Sequence, residues 1–270
     1  MKKKIITMTI SAIMAFSSMS VLAAEDNNYE YKAEANFNDV SKDYWAYDAI
    51  AKCQDLGIIC GYGDGNFGPD DPITMEQAIR MSLNTLGLFA TGNATEITGE
   101  NEFASNFEAP IKYARNHKIV PRFIDRNDFS YMNDDQFNQY INGLDIWFGG
   151  RYNSYNDYNN NAYREEVVSC FYRVYNNDLG YNYKSTIENL LKKKGETLTI
   201  NNNPNIPDYG DVTELYKSDI MEAYKLGIAK GYNDAGEFKP KNEITRAEFC
   251  QIIENANVTD MLHFKLNGSL

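Results

Sequence analysis

The sequence is poor in the residues that most metal and catalytic centres require. Its two histidines, His117 and His263, stand apart, and neither a CxxC nor an HExxH motif occurs, so a zinc site is not expected. No serine or cysteine stands with histidine and aspartate in the context of a known nucleophile. A pair of catalytic carboxylates, as in a glycosidase, is not excluded by the sequence, because acidic residues are plentiful. We predict a non-catalytic protein without a cofactor.

Cysteine is also scarce. Four cysteines are too few to make a disulfide scaffold of a chain of 270 residues. Because they have apolar neighbours, we expect them to be small buried hydrophobic residues. A bridge between Cys53 and Cys60 is the alternative. The four are Cys53, Cys60, Cys170 and Cys250.

Positive charge is in deficit. The chain has 26 basic and 38 acidic residues, which gives a formal net charge of −12. Nonspecific attraction to nucleic acid or to an anionic membrane is therefore not expected. An anionic glycan could bind only where basic side chains are concentrated locally.

A long apolar run occurs only near the first residue. Three lysines precede an apolar stretch over residues 5–16, and a Val-x-Ala pattern ends at Ala23. This arrangement is typical of a secretory signal peptide over residues 1–23, although a retained membrane anchor is the alternative. We expect a secreted protein with no membrane span after cleavage.

One pattern occurs twice, about 170 residues apart. Residues 56–77 and 226–248 match at a dozen positions, through a loop rich in glycine, aspartate and proline. The interval from the first glycine to the threonine of the next helix is 17 residues in one copy and 18 in the other. Such repetition indicates an architecture of repeated units.

Each copy predicts a helix, a tight loop and a second helix. Ser41 or Asp43 is placed to cap the first helix, and Gly57 is placed to end it. Gly, Asp and Pro then supply the turn. Two capping boxes start the second helices, formed by Thr74 with Gln77 and by Thr245 with Glu248.

A divergent copy lies between these two. Residues 111–120 match the end of the first helix, with Lys118 in place of glycine. We predict its second helix at 164–174, because the Arg-Glu-Glu start repeats the charges of Arg-Ala-Glu in the last copy. This interpretation implies about 27 inserted residues, near 130–161. The alternative places the second helix at 133–144.

These assignments predict a mostly α fold with three helix-loop-helix repeats. Each pair can bury only one face alone, so the three should pack as a pseudo-threefold bundle. The segments between them are expected to be connectors. The predicted divisions are 1–23 (signal peptide), 37–90 (repeat 1), 103–176 (repeat 2), 205–257 (repeat 3) and 258–270 (tail).

At these residues the sequence resembles the S-layer homology (SLH) family. The shared features are an Asp-Val pair before the first helix, an aromatic residue near that helix start, the Gly-Tyr loop and a Thr-Arg-Ala-Glu helix start. The resemblance covers most of 37–257 and is strongest in the first and last copies. The features lie at Asp39-Val40, Asp211-Val212, Trp45, the two loops and Thr245.

The resemblance implies a three-pronged fold around a central helical bundle. It implies noncovalent attachment at the cell wall or S-layer surface, through a secondary cell-wall polysaccharide that is often pyruvylated, or through modified peptidoglycan. The ligand would lie in grooves between repeats. The alternative is a structural surface subunit or adhesin whose repeats mainly bind a surface-protein partner.

The resemblance also implies that the arginine of the Thr-Arg-Ala-Glu motif contacts the acidic sugar. A guanidinium at a helix N-terminus suits a carboxylate, because its fork is planar and the helix dipole adds positive potential. Arg246 matches fully, Arg164 follows Tyr163 instead of threonine, and Met75 replaces the arginine in the first copy. We expect one good site, one weaker site and one lost or altered. A solvated Arg–Glu pair is the alternative interpretation.

Neighbouring residues would complete the sites. Glycines of the two loops would let a sugar approach the backbone, and aromatic rings would offer an apolar face. The predicted glycan-binding residues are Arg246, Arg164, Trp45, Gly61, Tyr62, Gly231 and Tyr232. An EF-hand is excluded in the first loop, since the positions that require glycine and glutamate hold Pro69 and Met75.

Overall fold

A computed structural model shows that the chain is mostly helical. It describes residues 30–86, 108–120, 131–133, 135–136, 155–176 and 183–268. The predicted signal peptide lies outside the described residues, as does most of the predicted insertion. Across these ranges no helix combines the length and apolar character that crossing a membrane requires.

Eight α-helices occur in the described ranges, which confirms the predicted mostly α class. They are α1 (Tyr47–Asp55), α2 (Met75–Asn84), α3 (Glu108–Asn116), α4 (Arg164–Tyr175), α5 (Tyr183–Lys193), α6 (Glu214–Lys225), α7 (Arg246–Asn255) and α8 (Val258–Leu266). Short 3₁₀ turns lie at Tyr155–Asn159 and Tyr209–Asp211.

The start of α1 differs from the prediction. The N-cap is Ala46, which has no capping side chain, so capping by Ser41 or Asp43 is wrong. Residues 41–47 instead form two turns, in which the amides of Tyr44 and Tyr47 donate to carbonyl oxygens three residues earlier, both at 2.9 Å. These turns place Trp45 on the surface before the helix begins.

The second helices begin as predicted. Thr74 and Thr245 accept hydrogen bonds from the amides of Gln77 and Glu248, and both capping boxes are complete. In the divergent copy the amide of Tyr163 donates to the carboxylate of Glu166 at 2.7 Å, which closes one side of the box.

The alternative helix start in the divergent copy also has local support. Asn133 and Gln136 exchange capping hydrogen bonds of 2.9 and 3.1 Å. Residues 137–144 lie outside the described ranges. The helix at 164–175 is nevertheless the counterpart of α2 and α7, because its first residues pair with the same segments that precede those helices.

These three segments form a closed ring of backbone hydrogen bonds. The first amide of each second helix donates to a carbonyl oxygen that precedes the second helix of the next repeat, in the order one to two, two to three and three to one. The bonds run from Met75 to Asn160 (3.2 Å), from Arg164 to Asn242 (2.8 Å) and from Arg246 to Asp71 (3.0 Å). Isolated antiparallel bridges accompany them. Each repeat is therefore fixed at its centre by both others.

Helix packing follows the same order. The first helix of each repeat packs on the second helix of the repeat before it, so α1 contacts α7, α3 contacts α2 and α6 contacts α4. The helix α4 also contacts α2 and α7 near the ring. The repeats are thus interlocked. Pseudo-threefold symmetry of the whole bundle stays a prediction.

Two helices lie where connectors and a tail were predicted. The helix α5 lies in the stretch 176–205, and α8 occupies most of 258–270. The helix α8 packs on α5 and α7, with Met261 and Phe264 buried. The polar and apolar residues of α8 are mixed, so its sequence shows little helical periodicity. Packing against α7 therefore stabilises this helix more than its own sequence pattern does.

The four cysteines are free, so the alternative of a bridge from Cys53 to Cys60 is wrong. Cys60 is exposed in the first loop, whereas Cys53 is buried on α1. A hydrogen bond with the thiol of Cys250 on α7, together with burial, raises the pKa of Cys53. Cys170 is buried too, and desolvation raises its pKa to about 12. The predicted burial is confirmed for three of the four.

Candidate functional site

Each arginine of the predicted sites reaches into the loop of a neighbouring repeat. Loop 1 is defined as residues 57–74, between α1 and α2, and loop 3 as residues 227–245, between α6 and α7. Because the ring places the start of α7 beside loop 1, Arg246 meets loop 1 and not the loop of its own repeat. Arg164 meets loop 3 in the same way. We call these the Arg246 site and the Arg164 site.

Arg246 is bound tightly in its site. Its Nε donates to the carbonyl oxygen of Phe67 and its Nη2 to that of Cys60, both at 2.8 Å. Its Cζ lies 4.4 Å from the ring centroid of Phe67 and 4.8 Å from that of Tyr62. The residue is only 6% exposed. Arg246 therefore links the two sides of loop 1 that flank residues 61–66.

Arg164 is bound less completely. Its Nη2 donates to the carbonyl oxygen of Lys230 at 3.1 Å, and its Cζ lies 4.3 Å from the ring centroid of Tyr232. Its Nη1 lies 3.9 Å from a carboxylate oxygen of Glu248. Within the described ranges its buried Nε has no hydrogen-bond partner, although the same atom of Arg246 has one.

Both guanidinium groups are buried, so neither arginine forms the solvated pair with glutamate that was the alternative interpretation of the Arg-Glu helix start. Arg164 is 6% exposed, as is Arg246, so the alternative of a solvated Arg–Glu pair is wrong for both. Each positive charge is fixed behind an exposed tyrosine ring by hydrogen bonds to a loop. Direct contact of either arginine with a sugar stays a prediction.

Two aspartates that hold the loops were not among the predicted site residues. Asp39 accepts hydrogen bonds from the amides of Phe67 and Gly68, at 2.8 and 2.7 Å. In loop 3 the corresponding acceptor is Asp208, which binds two amides at 2.8 and 2.6 Å. The Asp-Val pattern pointed to Asp211 instead. A 3₁₀ turn after Asp208 separates the carboxylate from the valine in this repeat.

The two predicted loop glycines are required by the fold of each loop. A Cβ atom on Gly61 would lie 2.5 Å from the carbonyl oxygen of Asn66, and one on Gly231 would lie 2.4 Å from the backbone of Gly236. Neither glycine has a positive φ. The close approach occurs between two parts of the same loop, so contact of these glycines with a sugar stays a prediction.

Three aromatic residues of the predicted sites are exposed. Trp45 is 58% exposed, Tyr62 52% and Tyr232 39%. The neighbour of Trp45, Tyr44, donates to Asp70 of loop 1 at 2.8 Å, and the rings of Tyr44 and Trp45 have centroids 5.8 Å apart. These rings offer flat apolar faces at the surface, as sugar stacking requires.

Both tyrosine hydroxyls are neutral near pH 7. Burial and the hydrogen bond to Asp71 raise the pKa of Tyr62, although Arg246 acts in the opposite direction. Burial raises the pKa of Tyr232 to about 12, again opposed by its arginine. Each phenol can therefore both donate and accept a hydrogen bond.

The two loops differ in charge. Loop 1 carries three carboxylates and no basic side chain, whereas loop 3 carries three lysines and three carboxylates. With the partner arginine included, the Arg164 site is the more positive of the two. The loop 1 residues are Asp64, Asp70 and Asp71, and the loop 3 residues are Lys230, Lys239, Lys241, Asp234, Glu237 and Glu243.

The third predicted site, at the start of α2, has methionine in place of arginine. Met75 is buried at the ring, in the position that arginine has in the other two repeats. The corresponding loop, residues 121–130, lies outside the described residues. In the described part of the chain, no group of three or more histidine, cysteine or acidic side chains is placed to hold a metal ion.

The two repeats with described loops resemble segments of known surface proteins. A family model described as S-layer homology domain matches residues 36–79 and 206–250, which contain loop 1 and loop 3. The chain is 33% identical over 67 residues to a surface-layer 125 kDa protein of Lysinibacillus sphaericus, covering 25% of this chain and 6% of that protein. It is 31% identical over 114 residues to an S-layer protein of Bacillus licheniformis, covering 42% and 12%.

A longer match is found with an endoglucanase of Bacillus sp. (strain KSM-635). The identity is 25% over 257 residues, which cover 94% of this chain and 22% of that protein. The chain therefore spans less than a quarter of the length of each of these relatives.

Proposed function

Because this chain is an S-layer homology domain protein, we propose that it attaches noncovalently to the cell wall from outside the cell. The matches to the family and to two surface-layer proteins support a role at the cell surface. The proposal assigns binding and no reaction to the repeats. Attachment would require export, as the predicted signal peptide implies.

The proposed ligand is an acidic polysaccharide of the wall, such as a secondary polymer with pyruvylated sugars. One observation carries this proposal, namely that an exposed tyrosine lies on the buried guanidinium of a neighbouring repeat in both described sites. A sugar can stack on the ring, while its acidic group lies in the positive field of the fixed arginine. Modified peptidoglycan is the second candidate, since it offers related sugars.

Preorganisation makes this arrangement suitable for binding. Hydrogen bonds to loop carbonyls already hold each guanidinium, so little side-chain freedom is lost when a ligand binds. The positive charge lies in a partly desolvated environment, where its interactions are stronger than in water.

The acidic net charge of the protein is compatible with an anionic ligand. Repulsion from distant carboxylates is screened beyond about 8 Å at physiological ionic strength. Contacts within the Arg164 site act at shorter range, and Lys239 of loop 3 adds a positive charge 5.3 Å from the ring centroid of Tyr232. We therefore expect the Arg164 site to contribute more to binding of an acidic polymer than the Arg246 site.

Sedimentation with isolated wall sacculi tests the proposal. The bound fraction of the purified protein is measured before and after chemical extraction of the secondary polymers. We expect extraction to abolish binding. Binding that survives extraction but is lost on digestion of peptidoglycan would assign the ligand to peptidoglycan. Binding that survives both treatments would contradict the proposal and favour a protein partner.

Two tyrosine variants locate the binding surface. Tyr232→Ala is expected to weaken binding about tenfold, because loss of one stacking ring and its hydroxyl removes roughly 1–2 kcal/mol. Tyr62→Ala should have a smaller effect. Leu266→Ala is the control, since Leu266 is also an exposed apolar residue but lies at the end of α8. Equal effects of all three variants would contradict the proposed surface.

A further inference from the structure

Loop 3 contains a lysine in a backbone conformation that usually belongs to glycine. Lys239 has φ +57°, and the residue at the same place in loop 1 is Gly68, with φ +68°. In both loops the amide at this position donates to the aspartate that holds the loop. The fold therefore requires the left-handed conformation, which glycine adopts with less strain than lysine. Such strain at a surface loop points to a function of the side chain.

The surroundings of this position differ between the two loops. A Cβ atom on Gly68 would lie 2.2 Å from a carboxylate oxygen of Asp71 and 2.7 Å from the ring of Tyr62. The hydroxyl of Tyr62 holds that carboxylate at 2.8 Å. In loop 1 an anion therefore occupies the space beside the tyrosine. In loop 3 the residue corresponding to Asp71 is the neutral Asn242. Tyr232 interacts instead with the carboxylate of Glu248, which belongs to α7 and lies 3.9 Å from Nη1 of Arg164.

The side chain of Lys239 lies beside the equivalent tyrosine. Its Nζ is 5.3 Å from the ring centroid of Tyr232, and the guanidinium of Arg164 is 4.3 Å from the same centroid. Two cations therefore flank one exposed ring. Among the described residues, no carboxylate lies within 4 Å of the Lys239 ammonium group, so its charge is available to a ligand.

We propose that Lys239 binds the acidic group of the ligand and makes the Arg164 site, rather than the Arg246 site, selective for an anionic saccharide. This inference rests on the proposed function and deepens it. Tyr232 supplies the stacking face, Arg164 fixes the positive field behind the ring, and Lys239 supplies ammonium donors at the surface. The Arg246 site has a carboxylate in the corresponding place and discriminates against the same group.

The variant Lys239→Gly tests this role, because it restores the residue of loop 1 and relieves the backbone conformation. We expect its Tm to be unchanged or higher, whereas its affinity for the acidic wall polymer falls about tenfold, as loss of one charge-assisted hydrogen bond implies. Lys118→Gly is the matched control. Lys118 also has a positive φ, of +59°, but lies at the end of α3 outside loop 3.

The ligand is varied in parallel. Affinities of the wild type and both variants are measured for the purified polymer and for the same polymer after its acidic substituents have been removed. We expect the wild type to prefer the acidic form and Lys239→Gly to lose most of that preference. An equal affinity loss for both forms, or no loss, would overturn the role of Lys239. Wild-type protein that binds neither form would instead overturn the proposed function.

Discussion

Loop 1 and loop 3 share their backbone contacts but differ in the side chains at their surfaces. In both loops an aspartate binds two amides, and an arginine from another repeat binds a carbonyl oxygen. The charged residues around these contacts are not shared, since Gly68 and Asp70 of loop 1 correspond to Lys239 and Lys241 of loop 3. The backbone contacts keep both loops folded. The exposed side chains can therefore differ between the loops, and with them the ligand that each loop prefers, without loss of the fold.

The two arginines differ in how many hydrogen bonds each makes with its loop. Arg246 makes two hydrogen bonds with loop 1, whereas Arg164 makes one with loop 3 and leaves its buried Nε without a partner in the described ranges. A buried donor without a partner is costly. Loop 3, which has the lysines, is therefore held less firmly by its arginine than loop 1. We infer that Arg246 contributes mainly to the stability of the fold.

Alanine substitution of the two arginines should show the largest effects. Arg246→Ala is expected to lower the free energy of unfolding by about 3–5 kcal/mol, since two charge-assisted hydrogen bonds are lost. Arg164→Ala should cost about 2 kcal/mol, because a single such bond is lost. Urea unfolding measures both. Lys32→Ala, at a side chain that is 77% exposed, is the control and should change stability by less than about 0.5 kcal/mol. A larger cost for Arg164→Ala would reverse the comparison.

Helix caps provide a second and smaller test of the equivalence of the repeats. Thr74→Ala and Thr245→Ala should each lower the unfolding free energy by about 1 kcal/mol, because each removes the same capping hydrogen bond. The matched controls are Thr74→Ser and Thr245→Ser, which retain a hydroxyl acceptor. Serine variants as destabilised as the alanine variants would show that the methyl group, and not the cap, is responsible.

Reversal of a charge in loop 1 should make it more like loop 3. Asp70→Lys is expected to increase affinity for the acidic polymer about threefold at low salt, and the gain should decrease as salt is added. Asp48→Lys makes the same charge change at an exposed position on α1, outside the sequence of both loops. If both variants gain equally, net charge and not the site controls binding.

Chemical modification offers the smallest change. Cys60 is exposed at the position where loop 3 has Lys230, and the other three cysteines are buried. A thiol reagent that attaches an aminoethyl group should therefore modify one of the four thiols in the native protein, as mass spectrometry can show. We expect a slight gain in binding of the acidic polymer, and no gain with a reagent that attaches a sulfonate. Reaction of two or more native thiols would contradict the burial described above.

Local patterns in the sequence predicted much of the fold. The capping boxes at Thr74 and Thr245 determine where α2 and α7 begin, and the Arg-Glu-Glu motif correctly placed α4. The helix α8 was missed because its polar and apolar residues are mixed and it packs on α5 and α7. The helix α5 was missed although Ile187, Leu190 and Leu191 have the spacing of one helix face.

The site was predicted less completely, for a physical reason. The motif identified Arg246 and Arg164, but it could not show which loop each one meets, since that depends on the order in which the repeats close the ring. Burial of the guanidinium groups follows from this order as well. The role of Lys239 could be found only after its backbone angle was compared with that of Gly68.

Mapping of the bound polymer by NMR tests the central claim most directly. Amide chemical shifts of the purified protein are followed while acidic wall polymer is added, with polymer stripped of its acidic groups as the control. We predict that the largest changes occur in loop 3, around Tyr232 and Lys239, with smaller changes around Tyr62 in loop 1. Changes confined to α5 and α8, or no change in either loop, would contradict attachment through these sites.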